Sequence, residues 1–198
     1  MSSVPRTGYD NPPVEWKFAK LAGRDLRRTK GLIGGDLRFA KLKGAVLRCN
    51  RMHRAKLEGA DLRNADLKEC ILKDADLTYA DLRGADLTEA YLGGANLFRA
   101  DLRGAILSKA NLVEANLTQA NLEGAILYDA CLREVDFEET NLTDASLRGA
   151  DLYKARFDEA NLSGVNFKHV EWLEYASFYE CTFKGNKGIT KNFIKSWE

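Results

Sequence analysis

Proline is scarce in this sequence: there are three in 198 residues, Pro5, Pro12 and Pro13, all in the first 13 positions. The rest of the chain therefore keeps every backbone donor that a β ladder needs. There is no run of about 18 apolar residues, so no membrane-spanning helix is expected. The opening MSSVPRTGYDNPP has no apolar core, so no secretory leader is expected and the cytoplasm is the expected address. Histidine is limited to His53 and His169, which stacked pentapeptides would set some six coils apart, roughly 29 Å at the strand spacing, too far to share a metal. Cys49, Cys70, Cys131 and Cys181 show no CxxC spacing, which argues against a zinc site and a disulfide framework. No Gly-rich phosphate loop, GxSxG or HExxH occurs. No cofactor, metal or catalytic residue is expected, and the chain reads as non-enzymatic.

Charge of either sign is not in excess. Lys plus Arg is 30 against 29 Asp plus Glu, a net of +1, which excludes a generically basic nucleic-acid binder and a wholly acidic mimic. The balance hides an asymmetry. Residues 1–56 carry a net of +10, residues 57–183 a net of −12, and residues 184–198 a net of +3. Along a rod this separation makes a long-axis dipole that could orient a partner or favour head-to-tail contact, weakened by salt. Drift in the charge of solvated faces would give the same pattern.

What the sequence does have is a period of five. Residues 75–90 read ADLTYADLRGADLTEA, and a large apolar residue recurs every fifth position from Leu32 to Phe167 without a gap. Of these 28 positions, 24 are Leu; the others are Met52, Phe137, Phe157 and Phe167. The position two before is usually Ala, with exceptions that include Gly35, Asn50, Cys70, Val135, Thr140 and Val165. A helix would set successive leucines about 500° apart, spiralling round its axis. A plain strand would send them to alternate faces. Apolar residues at i and i−2 suit a short extended piece followed by a turn. One such piece cannot bury its own leucine, whereas pieces wound into a coil and stacked at about 4.8 Å can.

ADLRG at 80–84 and ANLTQ at 115–119 have the A(D/N)LXX form that resembles the pentapeptide-repeat family, over roughly residues 16–183. The resemblance implies an all-β fold: a right-handed quadrilateral β-helix with four pentapeptides per coil and positions i and i−2 pointing inward. The family includes proteins linked to quinolone resistance, in which an acidic rod of duplex-like width occupies the DNA groove of gyrase. Members that act on gyrase are often dimers joined at the C-terminal end.

The phase of the repeat slips twice. Trp16, Leu21 and Leu26 keep the spacing but sit one residue out of phase, with an extra residue within Arg27–Gly31. After Phe167 the series resumes at Leu173, Phe178 and Phe183. These slips read as bulges near the ends of about eight coils, a rod roughly 40 Å long. Residues 1–13 are expected to be an irregular arm, 14–183 the β-helix and 184–198 a short capping helix. Val14, Trp16 and Phe18 would begin the N-terminal closure. Ile189, Phe193, Ile194 and Trp197 fall on one helical face, with Thr190 as N-cap. That face either caps the last coil or joins two copies as a homodimer.

Surface columns follow from stacking residues 20 apart. Lys43, Arg63, Arg83 and Arg103 form one column beside Asp61, Asp81 and Asp101, whose charge offsets it; Asn121, Asn141 and Asn161 continue the acidic column as an Asn ladder. Glu134, Asp136, Glu138, Glu139, Asp158 and Glu159 form the candidate acidic docking patch. Arg24, Arg27, Arg28, Arg48, Arg51, Arg54 and Lys56 form the candidate basic patch. Aromatics interleave it thinly, through Phe39 and Tyr9, so a nucleic-acid reader is disfavoured. Cys70 and Cys181 replace the inward alanine as small core fillers. Ile71 stacks with Tyr91 and Ile106 with Ile126 at outward positions. The expected function is a rigid scaffold or protein-interaction module of unknown partner. The alternative is a DNA-mimicking binder or protector of DNA gyrase or topoisomerase, which the basic first third opposes.

Overall fold

The computed structural model describes residues 13–190 and Phe193. The unit at Ala80–Gly84 shows why a pentapeptide works as a building block, because each of its five N–H groups has a different acceptor. Ala80 N–H closes the preceding turn onto Leu77 O at 2.9 Å, Asp81 N–H reaches back one coil to Ala60 O at 2.9 Å, and Leu82 N–H reaches forward one coil to Asp101 O at 2.7 Å. Gly84 N–H also reaches forward, to Arg103 O at 3.0 Å. Arg83 N–H has no main-chain acceptor and donates instead to Asp81 Oδ1 at 3.3 Å. Asp or Asn at this position is therefore part of the backbone accounting.

Four units close a coil, and coils stack in parallel to give four flat faces. The first face runs from Glu15 through Asp36, Lys56, Asp76, Asn96, Asn116, Asp136 and Arg156 to Ser177. The second runs from Lys20 to Thr182, the third from Asp25 to Lys187, and the fourth from Arg51 to Glu171. Each unit ends in a turn whose last residue has positive φ. Glycine tolerates this at Gly84 (φ 64°), but Glu69 (56°), Tyr79 (57°) and Glu159 (59°) adopt it as well. At non-glycine positions this costs roughly 1 kcal/mol each. The ladder above and below holds the chain there.

The pleat sends i and i−2 to the same side, so Leu and Ala fill the interior. From Leu32 to Phe167 every fifth-position residue is fully buried. On the first face the core column changes to Phe137, Phe157 and Phe178, whose rings lie parallel at centroid spacings of 4.8 and 5.1 Å. These distances match the rung spacing, so a phenylalanine column extends without distorting the stack.

Both phase slips are present. The first three bridges, Glu15–Asp36, Lys20–Lys41 and Asp25–Val46, join residues 21 apart, and from Asp36–Lys56 the interval is 20. The extra residue is taken up at Lys30–Gly31, where Gly31 has φ 77°. The second slip falls between Asp151–Glu171 and Arg156–Ser177. There a 3-10 turn, Leu173–Tyr175, replaces the ordinary corner, entered through Trp172 in left-handed conformation.

At the N-terminal end Val14, Trp16 and Leu21 pack against the core. Phe18 does not share in that closure as expected: it occupies a positive-φ corner and is 62% exposed. At the other end Ile189 and Phe193 pack on the last coil, with Phe193 edge-on to Phe178 at 5.6 Å. Thr190 Oγ1 accepts from Phe193 N–H at 3.2 Å, an N-cap bond. The capping helix expected over 184–198 does not extend across that range. Residues 184–190 are extended or bent, and the one complete helical element among the described residues is the 3-10 turn. Ile194 and Trp197 lie outside the described residues, as does the arm expected at 1–13 apart from Pro13.

Candidate functional site

On the second face arginines and aspartates interlock up the stack. Arg63 holds Asp61 at 2.8 Å and reaches Asp81 at 3.4 Å; Arg83 holds Asp81 at 2.7 Å and reaches Asp101 at 3.5 Å; Arg103 holds Asp101 at 2.7 Å. The Arg63 hydrogen bond holds the Asp61 carboxyl below the usual range, and the Asp81 hydrogen bond pushes the Arg83 pKa up. Above them the ladder becomes neutral, with Asn141 Nδ2 donating to Asn121 Oδ1 at 3.1 Å. This column is internally satisfied.

The acidic patch divides. Arg156 sits among three of its carboxylates: Asp136 at 3.2 Å, Asp158 at 3.0 Å, and Glu138. Asp158 also accepts from Ser177 Oγ and from Tyr179 N–H at 3.1 Å. Burial pushes the Asp158 carboxyl up, but these donors and Arg156 outweigh it, and its pKa is lowered. Glu139 and Glu159 stand on the corner between the first and second faces, above Gln119 and below Glu180. Gln119 joins Arg99 to Glu139 through hydrogen bonds of 2.6 and 2.9 Å. Glu134 lies on the opposite corner of the first face.

The basic patch divides further. Arg27, Arg28 and Arg48 line a shallow concavity on the third face with Asp25 and Cys49. Arg27 is held by Asp25 at 2.7 Å, and Arg48 by Glu69. Arg24 is exposed on the first coil of that face. Arg51 and Arg54 belong to the fourth face, Arg54 lying 3.8 Å from Asp74, and Lys56 belongs to the first face. The four-sided section thus spreads residues that are close in sequence over three faces.

The polar exceptions at inward positions share one use. Cys70 Sγ donates to Leu47 O at 3.0 Å, Thr140 Oγ1 to Leu117 O at 2.8 Å, and Cys181 Sγ to Phe157 O at 2.8 Å. Asn50 Nδ2 bridges Leu26 O and Leu47 O at 2.9 and 2.8 Å. Each donates to a core-residue carbonyl in the preceding coil, and Asn50 donates to Leu47 O of its own coil as well. Burial pushes both the Cys70 and Cys181 thiols up to about 12. Among the described residues no group of three or more His, Cys, Asp and Glu is placed to hold a metal, and no helix is long and apolar enough to cross a membrane.

Two aromatic clusters go beyond the sequence reading. Phe18 stacks on Phe39 at 5.3 Å and 13°, and the Phe39 ring lies over Gly59, where an added Cβ would come within 2.6 Å of it. At the second slip Tyr153, Trp172 and Tyr175 pack together, with the Arg133 guanidinium 4.9 Å from the Tyr153 centroid. Both clusters depend on a slip. The first pairs residues 21 apart, and the second needs the 3-10 turn.

Residues 32–64, 55–94, 95–133 and 130–168 match the family model for pentapeptide repeats, in eight copies. Among solved structures, full-length QnrB1, a plasmid-mediated fluoroquinolone resistance protein, is 18% identical and aligns with a TM-score of 0.55 over 89% of this chain and 93% of its own. HetL, a pentapeptide repeat protein involved in heterocyst differentiation regulation from the cyanobacterium Nostoc sp. strain PCC 7120, is 26% identical over 90% of this chain and 89% of its own, with a TM-score of 0.28. A comparison with curated proteins finds no match.

Proposed function

Because this chain belongs to the pentapeptide repeat family, whose members form right-handed quadrilateral β-helices, we propose that it is a non-enzymatic rigid scaffold presenting flat β faces to a protein partner in the cytoplasm. The observation that carries this reading is the continuous ladder from Glu15 to Lys187, broken only by two one-residue slips. Such a backbone offers no long loop on which reacting groups could be assembled. Its rows of paired side chains suit recognition by shape and charge. In this reading residues 14–183 are the working rod, with an arm at 1–13 and a cap at 184–198.

A tagged pull-down from nuclease-treated native lysate at low and moderate salt tests the proposal by mass spectrometry. One protein retained in stoichiometric amount is expected. Retention of nothing at either salt would sink the scaffold reading.

A second reading is a DNA-mimicking binder or protector of gyrase or topoisomerase, favoured by the stacked Glu139, Glu159 and Glu180. The arginine ladder of the second face and the Arg27, Arg28 and Arg48 cluster on the third oppose it, since they interrupt the acidic surface with cations. A gyrase supercoiling assay at micromolar excess separates the two: a scaffold leaves supercoiling unchanged, whereas a mimic inhibits it.

A further inference from the structure

In most units the Asp or Asn one place before the inward leucine takes up the main-chain N–H two residues on. Asp66 accepts from Lys68 N–H at 3.2 Å, Asp76 from Thr78 N–H at 3.1 Å and Asn111 from Val113 N–H at 3.1 Å. Two adjacent rungs of the fourth face break this pattern. Arg51 and Ile71, which are bridge partners, stand where the acceptor would be. Among the described residues the N–H groups of His53 and Lys73 consequently have no acceptor. They lie one rung apart, since Arg54 N–H on the first rung bonds to Lys73 O on the second at 2.8 Å. A main-chain donor left open at the surface is available to a ligand.

A concavity of about 370 Å³ opens over the same two rungs, lined by His53, Arg54, Ile71, Lys73 and Asp74. Its charges are unequal: Arg54 and Lys73 stand against one carboxylate, Asp74. Arg54 is 3.8 Å from that carboxylate, too far for a hydrogen bond. Among the described residues Lys73 has no ion-pair partner. The larger concavity on the third face differs on both counts. There Asp25 accepts from Arg27 N–H at 3.1 Å, and Arg27 and Arg48 are held by Asp25 and Glu69.

We propose that the fourth-face concavity binds a phosphate monoester, with the His53 and Lys73 amides and the Arg54 and Lys73 side chains as its donors. The donor set selects this chemistry. Two main-chain N–H groups, a guanidinium and an ammonium exceed what the two oxygens and single charge of a carboxylate can satisfy. A phosphate monoester offers three strong acceptor oxygens and a charge of about −1.5 to −2 at pH 7. Two sources supply it, free phosphate and a phosphorylated side chain of a partner protein. Exposed Ile71 gives the second an apolar wall for the carbon skeleton that carries the phosphate. The site does not depend on the rod being a scaffold.

Amide chemical shifts of the full chain, followed by nuclear magnetic resonance, test this. The probes are inorganic phosphate, a phosphoserine pentapeptide, the same peptide without its phosphate, and sodium chloride at equal ionic strength. The His53 and Lys73 amide resonances should shift saturably with inorganic phosphate or the phosphopeptide and not with chloride. A phosphopeptide bound at least tenfold more tightly than inorganic phosphate identifies a phosphorylated side chain as the ligand, whereas equal affinities identify free phosphate. Ile71→Asn changes no charge but supplies an acceptor for Lys73 N–H, as Asn96 does for Phe98 N–H at 3.1 Å. It should weaken binding roughly tenfold and keep the circular dichroism and melting of the parent. The double variant Arg54→Ala/Lys73→Ala should weaken binding by at least about tenfold. Lys43→Ala, which removes an exposed lysine from the second face, should leave it unchanged. Unmoved His53 and Lys73 amides, shifts that chloride reproduces, a peptide that binds equally without its phosphate, an affinity indifferent to Ile71→Asn, or an equal loss in Lys43→Ala would each overturn the proposal.

Discussion

Arg83 lies 2.7 Å from Asp81 on its own rung and 3.5 Å from Asp101 on the next, and so links two coils through one guanidinium. The same step repeats at Arg63, and the column carries opposite charges in alternation up the second face. Each pair is partly exposed, so the ladder contributes modestly to stability, on the order of 1 kcal/mol or less per pair. Its larger consequence is for recognition. A face whose charges satisfy one another gives an ionic partner little to displace.

Leu102 is fully buried between Leu82 and Leu122. Leu102→Ala should cost about 2–5 kcal/mol, since the stacked neighbours cannot collapse into the space. Leu102→Asp should cost more, because it buries an unpaired carboxylate. Stability in a solenoid passes between neighbours. Hydrogen exchange should therefore show protection falling first in the coils around residue 102. A soluble Leu102→Asp variant with an unchanged melting curve would contradict the inward assignment.

Gly188 and Gly104 both have positive φ, yet they answer to different constraints. A Cβ at Gly104 meets nothing within 4 Å, whereas one at Gly188 would come within 2.5 Å of Lys168 N and 2.7 Å of Phe167 C. Gly104→Ala should cost only the left-handed penalty of roughly 1 kcal/mol. Gly188→Ala must displace backbone and should release the last rung. Limited proteolysis near residues 185–190 is expected to accelerate in Gly188→Ala and to stay at the parent rate in Gly104→Ala.

The Arg38 side-chain hydrogen bonds hold the Asp36 carboxyl down at about 2. Its value in the unfolded chain is about 3.9. The folded state therefore binds this proton less readily than the unfolded one. The stabilisation is complete above about pH 4 and is lost as pH falls towards 2. The melting temperature should drop across that window, and Asp36→Asn should flatten the drop while lowering stability at neutral pH.

Thiol chemistry gives a direct map of the inward positions. Cys49 is exposed, whereas Cys70 is buried with its thiol bonded to Leu47 O and its pKa pushed up to about 12. At about pH 8 the native protein should label rapidly at Cys49 and stay protected at Cys70 and Cys181, and all four should label after denaturation. Rapid native labelling of Cys70 would place it outside the coil.

Much of the surface could be read from spacing once the family resemblance supplied four units per coil. The Arg63–Arg83–Arg103 column and its aspartates follow from counting in twenties, and the structure pairs them as that counting implies. The Phe18–Phe39 stack does not follow, because the extra residue at Lys30–Gly31 makes their separation 21. For the same reason Phe18 belongs to an exposed corner, not to the closure of the rod. Sequence proximity gathers the basic residues into one patch, but Arg48, Arg54 and Lys56 belong to the third, fourth and first faces.

The sequence by itself determined the coil. A five-residue unit with Leu and Ala at i and i−2 cannot bury its apolar pair except by stacking on copies of itself, and an Asp or Asn between them supplies the acceptor that the backbone lacks. Those are local requirements, repeated in almost every unit. Only the tertiary structure decided which charges meet. The partner of each side chain is one coil away, and a slip of one residue at either end changes every pairing beyond it. The satisfied arginine ladder, the Gln119-bridged Glu139 and the Arg156 cluster are consequences of that register.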